Sequence, residues 1–234
     1  GIGSGPSDLS NLTTNAKQNI AIGKQALNNL TGGTFNVGIG YQSMFGVTTG
    51  SQNFAIGPNT LDVVGTAGQN TAIGYKAGQK VTGSGNILIG LKAGKTTSGI
   101  FNTAIGNEAG YVLGTGSFNL SLGFKSGFKT KDVDNNVFIG TYAGLENISG
   151  ESSTYIGTEA GKNNTGSSNV FIGYQAGLEH GSSEAAVDNT LIISNSDTTT
   201  PLIQGDFASQ DLTINGNLTA TGTTNLSGLS FSVT

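Results

Sequence analysis

The chain lacks cysteine, tryptophan and arginine, and it contains only 3 prolines among its 234 residues. Without cysteine it has no disulfide bond, no thiolate metal site and no cysteine nucleophile. All 10 basic residues are lysine, the formal net charge is −4 and only 10% of the residues are charged. Nucleic-acid-binding proteins are typically basic and contact phosphates through bidentate arginines, so we expect no nucleic-acid partner.

Long hydrophobic runs are also absent. No apolar stretch reaches the length of about 18 residues that a membrane-spanning helix needs, so we expect no membrane insertion. The first ten residues, GIGSGPSDLS, have neither the basic nor the apolar region of a signal peptide. Ile2-Gly3 resembles the end of a repeat unit, which indicates that the sequence is a piece of a longer polypeptide.

Glycine is abundant, with 39 residues, and much of it belongs to an internal repeat. The unit is an Asn followed three residues later by Ile, once by Leu122, and then by Gly, as in NTAIG at residues 70–74. Units follow one another in steps of 16 or 17 residues; Ser153 replaces one Asn, and a weaker last unit starts at Asn189. We call the Asn the anchor and number it coil position 0. The anchors are Asn19, Asn36, Asn53, Asn70, Asn86, Asn102, Asn119, Asn136 and Asn169.

The length of the repeat predicts the fold class. A period of 16 to 17 residues is too short for two helices and matches one coil of a β-solenoid, in which tight turns join short strands. Strands of successive coils lie about 4.8 Å apart, so eleven coils would form a rod roughly 50 Å long. We therefore predict an all-β protein, a repetitive parallel β-roll or β-solenoid.

The C-terminal part of the chain follows another pattern. After Pro201, apolar residues alternate with polar ones, and Asn215-Gly216 is a typical turn sequence. The alternating residues are Leu212, Ile214, Leu218, Ala220, Leu229, Phe231 and Val233. Such a pattern suits intertwined strands of three chains. The predicted organisation is a β-roll domain at residues 1–193, a transition at 194–210 and a trimeric β-stem at 211–234.

Residues at coil positions 1 and 3 share one face of each strand, because successive side chains alternate between faces. We predict that position 3 forms the hydrophobic core. Its residues are Ile22, Ile39, Ile56, Ile73, Ile89, Ile105, Leu122, Ile139, Ile156 and Ile172. Position 2, with residues such as Ala72 and Phe138, is small or apolar too, so both faces should be covered. The apolar area buried in so thin a coil hardly offsets the conformational entropy lost when its residues are ordered. This shortage favours a parallel homotrimer over a lone solenoid, because the second face can then pack against copies of itself.

The anchors invite either a structural or a ligand-binding interpretation. Asn side chains stacked at a turn can hydrogen-bond to the backbone of the next coil, and Asn tolerates left-handed turns. We favour the structural interpretation, an internal ladder, over ligand binding.

The element N-x-A-I-G-x-x-A, as in NIAIGKQAL and NTAIGNEAG, resembles the head repeats of trimeric autotransporter adhesins of the YadA type. The resemblance covers residues 19 to about 177. It implies a left-handed parallel β-roll packed as a homotrimer, a unit that also occurs in bacteriophage tail fibres. The period here is longer than is usual in adhesin heads, which implies longer turns. The C-terminal stretch is similar to fibre segments that lead into a trimeric stem.

The resemblance implies a structural role. We expect a fibre segment that presents, or contributes to, receptor binding or adhesion, most simply in a phage tail fibre on a virion. A bacterial cell-surface trimeric adhesin is the alternative, and a tailspike-like polysaccharide depolymerase is a third, less favoured reading. The expected partners are further copies of the chain and a host or cell-surface glycan or protein receptor.

No residue pattern indicates catalysis, a cofactor or a metal, so we expect no enzyme. His180 is the only histidine and lies in a loop sequence. Asp132, Asp134 and Asn136 are spaced like the start of a calcium loop, but the required Gly and Glu at its sixth and twelfth positions are missing.

The acidic residues do not suit glycoside hydrolysis either. Glu108 and Glu159 share a column but lie three coils apart, roughly 14 Å at the spacing of β-strands. A pair of catalytic carboxylates lies about 5 to 9.5 Å apart, so these two do not match.

The variable residue after the repeat's Gly offers the best binding candidates. Tyr41, Tyr75, Phe124 and Tyr174 occupy this position. Exposed aromatic rings on a rigid rod suit stacking against sugar rings, and they suit a seam between chains equally well. Both roles, glycan or receptor contact and trimer seam, stay open at this point.

Overall fold

The computed structural model describes residues 17–63, 65–178 and 186–219. These residues form β-strands and turns and contain no helix. Ile2-Gly3, His180 and the stem residues from Ala220 onward lie outside the described residues. The strands are β1 (Ile20–Ile22), β2 (Val37–Ile39), β3 (Phe54–Ile56), β4 (Thr71–Ile73), β5 (Lys80–Val81), β6 (Ile87–Ile89), β7 (Thr96–Thr97), β8 (Thr103–Ile105), β9 (Val112–Gly114), β10 (Leu120–Leu122), β11 (Val137–Ile139), β12 (Thr154–Ile156), β13 (Val170–Ile172), β14 (Thr190–Ile193), β15 (Ile203–Asp206) and β16 (Asp211–Ile214).

The strands confirm the predicted β-solenoid. The main sheet has 13 strands, and its order is β1-β2-β3-β4-β6-β8-β10-β11-β12-β13-β14-β15-β16. From β1 to β14 all neighbours are parallel, and up to β13 they keep the sequence register, as in Ile20 opposite Val37. A second sheet, β5-β7-β9, runs along another side of the coil. Each coil thus contributes one short strand to a continuous parallel stack.

Glycine at coil position 4 makes the corner after each strand. These glycines have φ between 118° and 140°, a backbone region that other residues rarely adopt. A Cβ at Gly106 would lie 2.4 Å from the carbonyl oxygen of Gly123 in the next coil. The corner therefore requires glycine for two reasons, its positive φ and the close stacking of successive coils.

The prediction that the position 3 residues form the core is wrong for the single chain. Ile22 is 45% exposed, Ile156 and Ile172 are each 37% exposed, and the rest of the column is only partly buried. The interior is lined instead by position 2, from Ala55 to Phe171, which is fully buried. The physical reason is space, because positions 1 and 3 share a face and would together place two branched or large side chains in most coils, whereas position 2 places one there.

In the interior, a large side chain at position 2 is accompanied by a small one at position 8, and a large one at position 8 by a small one at position 2. In the first three coils position 8 is Leu27, Met44 or Leu61, all buried, and position 2 is Ala or Gly. In later coils position 8 is Gly, and position 2 includes the buried residues Leu88, Phe138, Tyr155 and Phe171. No described coil has a large side chain at both positions, and where both are small, as at Ala104 and Gly110, position 11 supplies a buried residue such as Leu113.

This reciprocity predicts a non-additive double variant. Phe138→Ala should leave a cavity and lower the free energy of unfolding by about 3 kcal/mol. Gly144→Leu alone should also destabilise, because a Cβ there would lie 2.6 Å from the Phe138 ring. Together the two changes should cost at least 1 kcal/mol less than their sum, since Leu61 already fills the interior from the same position at φ 48°. Urea unfolding of the wild type, the two single variants and the double variant measures this double-mutant cycle. Strictly additive losses would contradict the idea that the two positions fill the same volume.

The last coil departs from the sequence alignment by one residue. The structure pairs Phe171 with Ile192 and Ile172 with Ile193, so Thr190, and not Asn189, occupies the anchor position. Ser194 then takes the place of the corner glycine, and its N–H donates to the carbonyl of Ile172 at 3.0 Å. The weak eleventh unit therefore begins 21 residues after Asn169.

Beyond the last coil, β15 and β16 continue the main sheet with alternating strand direction. Both strands pair antiparallel within the chain, β15 with β14 and β16 with β15. Large apolar side chains stay exposed here, including Leu202 at 58%, Leu212 at 63% and Leu218 at 76%. This end of the described chain thus presents apolar surface that the other described residues do not cover.

Candidate functional site: the surfaces of the rod

The anchors form a buried hydrogen-bonded ladder inside the solenoid. The side chain of Asn102 donates to Asn86 Oδ1 at 3.1 Å and to the carbonyl of Gly116 at 2.8 Å. Its Oδ1 accepts from the backbone N–H and the side-chain amide of Asn119, at 3.0 and 3.1 Å. The same pattern recurs from Asn19 to Asn136. With its polar atoms used internally, the ladder leaves no group for a ligand.

Ser153 keeps the ladder going with a shorter side chain. Its N–H donates to Asn136 Oδ1 at 3.0 Å, and its hydroxyl accepts from the N–H of Asn169 at 3.2 Å. Asn169 in turn accepts from the N–H of Thr190 at 2.8 Å. Ser153 lies beside the buried Tyr155, whose ring stacks between Phe138 and Phe171 at centroid distances of 5.2 and 4.9 Å.

We predict that Tyr155 makes the free energy of unfolding fall at alkaline pH. Its hydroxyl is buried without a hydrogen bond of good geometry, although Ser153 and Asn169 lie close. Burial raises its pKa to about 12, above the value of about 10 in an unfolded chain. The stabilisation is therefore complete below pH 10 and is lost as the pH rises towards 12, by about 2 kcal/mol.

Tyr155→Phe should remove this dependence. Because an unpaired hydroxyl is lost, the variant should be about 1 kcal/mol more stable than the wild type at pH 9, and the difference should widen towards pH 12. Urea unfolding at a series of pH values measures it. A difference that does not change with pH would show that the hydroxyl is solvated.

Asp132 and Asp134, which are spaced like calcium ligands, accept hydrogen bonds from the turn of the preceding coil. Asp132 Oδ1 accepts from the N–H and hydroxyl of Thr115, at 2.7 and 2.8 Å, and these bonds lower the pKa of the Asp132 carboxyl. Asp134 Oδ1 accepts from the N–H of Ser117 at 2.7 Å. Within the described ranges no group of three His, Cys, Asp or Glu side chains could hold a metal ion.

Glu108 and Glu159 are engaged by neighbouring side chains. Lys92 and Lys125 flank Glu108 at 3.5 and 3.6 Å. Glu159 accepts a hydrogen bond from Gln175 and pairs with Lys162, both at 2.7 Å, and these contacts lower the pKa of its carboxyl. Glu159 is thus held ionised, the opposite of what a general acid needs.

An apolar face runs along the outside of the main sheet. We define it as positions 1 and 3 of the parallel strands, from Ile20 and Ile22 in β1 to Leu191 and Ile193 in β14. Every residue in these two columns is Ile, Leu, Val, Phe or Thr, so the face contains no charge. Ten strand spacings make it about 48 Å long, and three residues make it about 10 Å wide.

The four aromatic residues predicted for binding lie on the corner next to the apolar face. Tyr41, Tyr75, Phe124 and Tyr174 are 37 to 48% exposed. They sit two or three coils apart, so the fold aligns them without bringing them together. Within the described residues, Phe124 alone of the four has an aromatic neighbour, Tyr142, with the ring centroids 5.3 Å apart.

Sequence reasoning missed a closely packed aromatic pair around the corner, at position 9. Tyr111 and Phe128 stack with centroids 4.9 Å apart, and Lys95 Nζ lies 5.1 Å from the Tyr111 ring centroid. The signal was present, because these two aromatic residues are 17 apart and therefore occupy the same position in successive coils.

In comparisons with protein-family models, with curated proteins and with solved structures, no match to this chain was found. Among the residues that the structure describes, no helix is long and apolar enough to cross a membrane.

Proposed function

We propose that this chain is a non-enzymatic segment of a homotrimeric fibre, as in a phage tail fibre or a similar appendage on a virion or cell surface. In this role the solenoid is a rigid spacer that holds or contributes receptor contacts. The observation that carries the proposal is the uncharged apolar face, which extends along every coil of the parallel stack.

The size of the apolar face supports association. Its dimensions give an area of roughly 500 Å², near the upper end of the exposed apolar patches found on monomeric proteins. Patches of this size are often functional, and this one contains no charge along its whole length. Because the solenoid is repetitive, a complementary surface that covers the whole face is an equally long apolar strip, which a second copy of the chain supplies.

Three copies suit this geometry better than two. Three strips about 10 Å wide can face a common threefold axis and enclose a closed core, in which each strip contacts both neighbours. The isoleucines of position 3 would then be core residues of the trimer, although they are outside residues of the single chain. The exposed apolar side chains of β15, β16 and Leu218 favour continued association towards the stem.

Charges placed on the apolar face should dissociate the trimer. The double variant Leu122→Glu/Ile156→Glu alters two residues that are 39 and 37% exposed in the single chain, so the monomer should fold normally. In the trimer each glutamate would be buried without a partner, which costs several kcal/mol per site and threefold per assembly. We expect monomers by sedimentation velocity, with unchanged β-sheet circular dichroism.

The matched control is Val63→Glu/Ile148→Glu. These residues are 52 and 57% exposed and lie outside the apolar face. The control should sediment like the wild type. If both double variants kept the wild-type mass, the apolar face would not be the seam.

A further inference from the structure

The lysines are concentrated on one flank of the rod. Eight of the ten occupy coil positions 5 to 10, past the corner from the apolar face, with five acidic residues among the same positions. These lysines are Lys24, Lys76, Lys80, Lys92, Lys95, Lys125, Lys129 and Lys162. The opposite turn, before the anchors, carries Asp132, Asp134, Glu151 and Asp188. A chain of net charge −4 thus has one cationic flank along its length.

The centre of this flank combines ammonium groups with aromatic rings. Lys92 and Lys125 share the single carboxylate of Glu108, and within the described residues no carboxylate lies within 4.0 Å of Lys95. Lys125 Nζ lies 5.5 Å from the ring centroid of Phe124 and 5.2 Å from that of Phe128. We call Lys92, Lys95, Tyr111, Phe124, Lys125 and Phe128 the lysine-aromatic patch.

We propose that the lysine-aromatic patch binds an anionic polysaccharide, a sugar chain that bears carboxylate or sulfate groups. Ammonium groups attract the anionic substituents, and aromatic rings accept the apolar faces of sugar rings. Because the rings and charges recur from coil to coil along the rod axis, an extended polymer fits this surface better than a compact ligand. The proposal deepens the receptor contact in the proposed function by naming its chemistry.

The patch does not compete with the proposed trimer seam. It lies past the glycine corner from the apolar face, at positions 5, 6 and 9. A homotrimer would therefore carry three copies of the patch, and a long polysaccharide could contact more than one, which strengthens binding through avidity. Binding at a single patch is independent of the oligomeric state.

The test uses the intact chain with heparin, polygalacturonate and uncharged dextran as probes, and single-stranded DNA as a non-sugar polyanion. We expect the two anionic polysaccharides to bind, with affinity that falls as salt rises, and dextran not to bind. Lys95→Gln/Lys125→Gln should weaken polygalacturonate binding about tenfold or more. The matched control, Lys17→Gln/Lys131→Gln, removes the same charge from the other side of the rod and should change affinity less than twofold. Phe124→Ser should weaken polygalacturonate binding and leave its salt dependence unchanged.

Other results would overturn the assignment. Equal losses in the two lysine variants, or no binding of either anionic polysaccharide, would reject the patch. DNA binding as tight as polygalacturonate binding, and unaffected by Phe124→Ser, would show a general polyanion surface and reject the sugar. Sedimentation of the same samples separates the two proposals, because a trimer that binds no polysaccharide rejects only this inference, and a monomer that binds it rejects only the fibre.

Discussion

Asn102→Ala should lower the free energy of unfolding by about 4 kcal/mol. The change leaves two buried backbone groups, the carbonyl of Gly116 and the N–H of Asn119, without the hydrogen bonds that the Asn102 side chain makes to them. Each buried group left unpaired costs about 1 to 3 kcal/mol. Because each coil packs only on its neighbours, the defect should weaken the stack at its middle. Urea unfolding followed by circular dichroism, at one protein concentration, measures the loss.

Asn102→Ser is the matched control. At Ser153 a serine hydroxyl already accepts the next anchor's N–H, so serine should restore one of the two lost bonds and about half of the stability. Equal losses for alanine and serine would contradict this account of the ladder. A loss below 1 kcal/mol for alanine would mean that water replaces the ladder's hydrogen bonds.

Gly106→Ala should destabilise at least as strongly, by more than about 4 kcal/mol. At φ 140° an alanine is strained, and its Cβ would lie 2.4 Å from the carbonyl oxygen of Gly123. Relief requires the coils on either side to separate, which breaks strand pairing between β8 and β10. We expect a greatly lowered midpoint of thermal unfolding, or no soluble protein.

Gly65→Ala separates backbone strain from crowding. Gly65 also has a positive φ, 58°, but a Cβ there meets no atom within 4 Å. This control should cost only the left-handed backbone penalty, about 1 to 2 kcal/mol. If Gly65→Ala and Gly106→Ala proved equally mild, close stacking of the glycine corners would not limit the sequence.

The sequence predicted the coil, its period and the role of its polar and glycine columns. These features repeat with the backbone, since every coil must turn at the same places and pair with the same neighbours. The Asn ladder could be inferred because asparagine both tolerates turns and offers a donor and an acceptor, as Asn70 does.

Which of the two strand faces points into the interior could not be inferred. Alternation shows that Ile73 and Thr71 share a face and that Ala72 lies on the other, but it does not tell which face is inside. The assumption that the isoleucine face is buried failed because that face carries two branched or large side chains in most coils, at positions 1 and 3, whereas the buried face carries one, at position 2. The compensation between positions 2 and 8, for example between Ala55 and Leu61, was the sequence signal that pointed to the correct side.

The lysine-aromatic patch escaped notice for a different reason. Lys95, Tyr111 and Phe128 belong to one column, position 9, whose composition varies, so the column looks like ordinary solvent-exposed surface. Their proximity depends on stacking of coils and on the rotamers that bring ammonium groups over rings, and neither is visible in a single repeat.

The mass of the intact chain in solution tests the fibre proposal most directly. Sedimentation equilibrium over a wide range of protein concentrations should give a mass close to three times the 23.6 kDa of one chain, with no trend towards the monomer at micromolar concentration. A monomer at all concentrations would contradict the proposal, since the apolar face would then be stable in water. A dimer would contradict the threefold packing of the isoleucine columns.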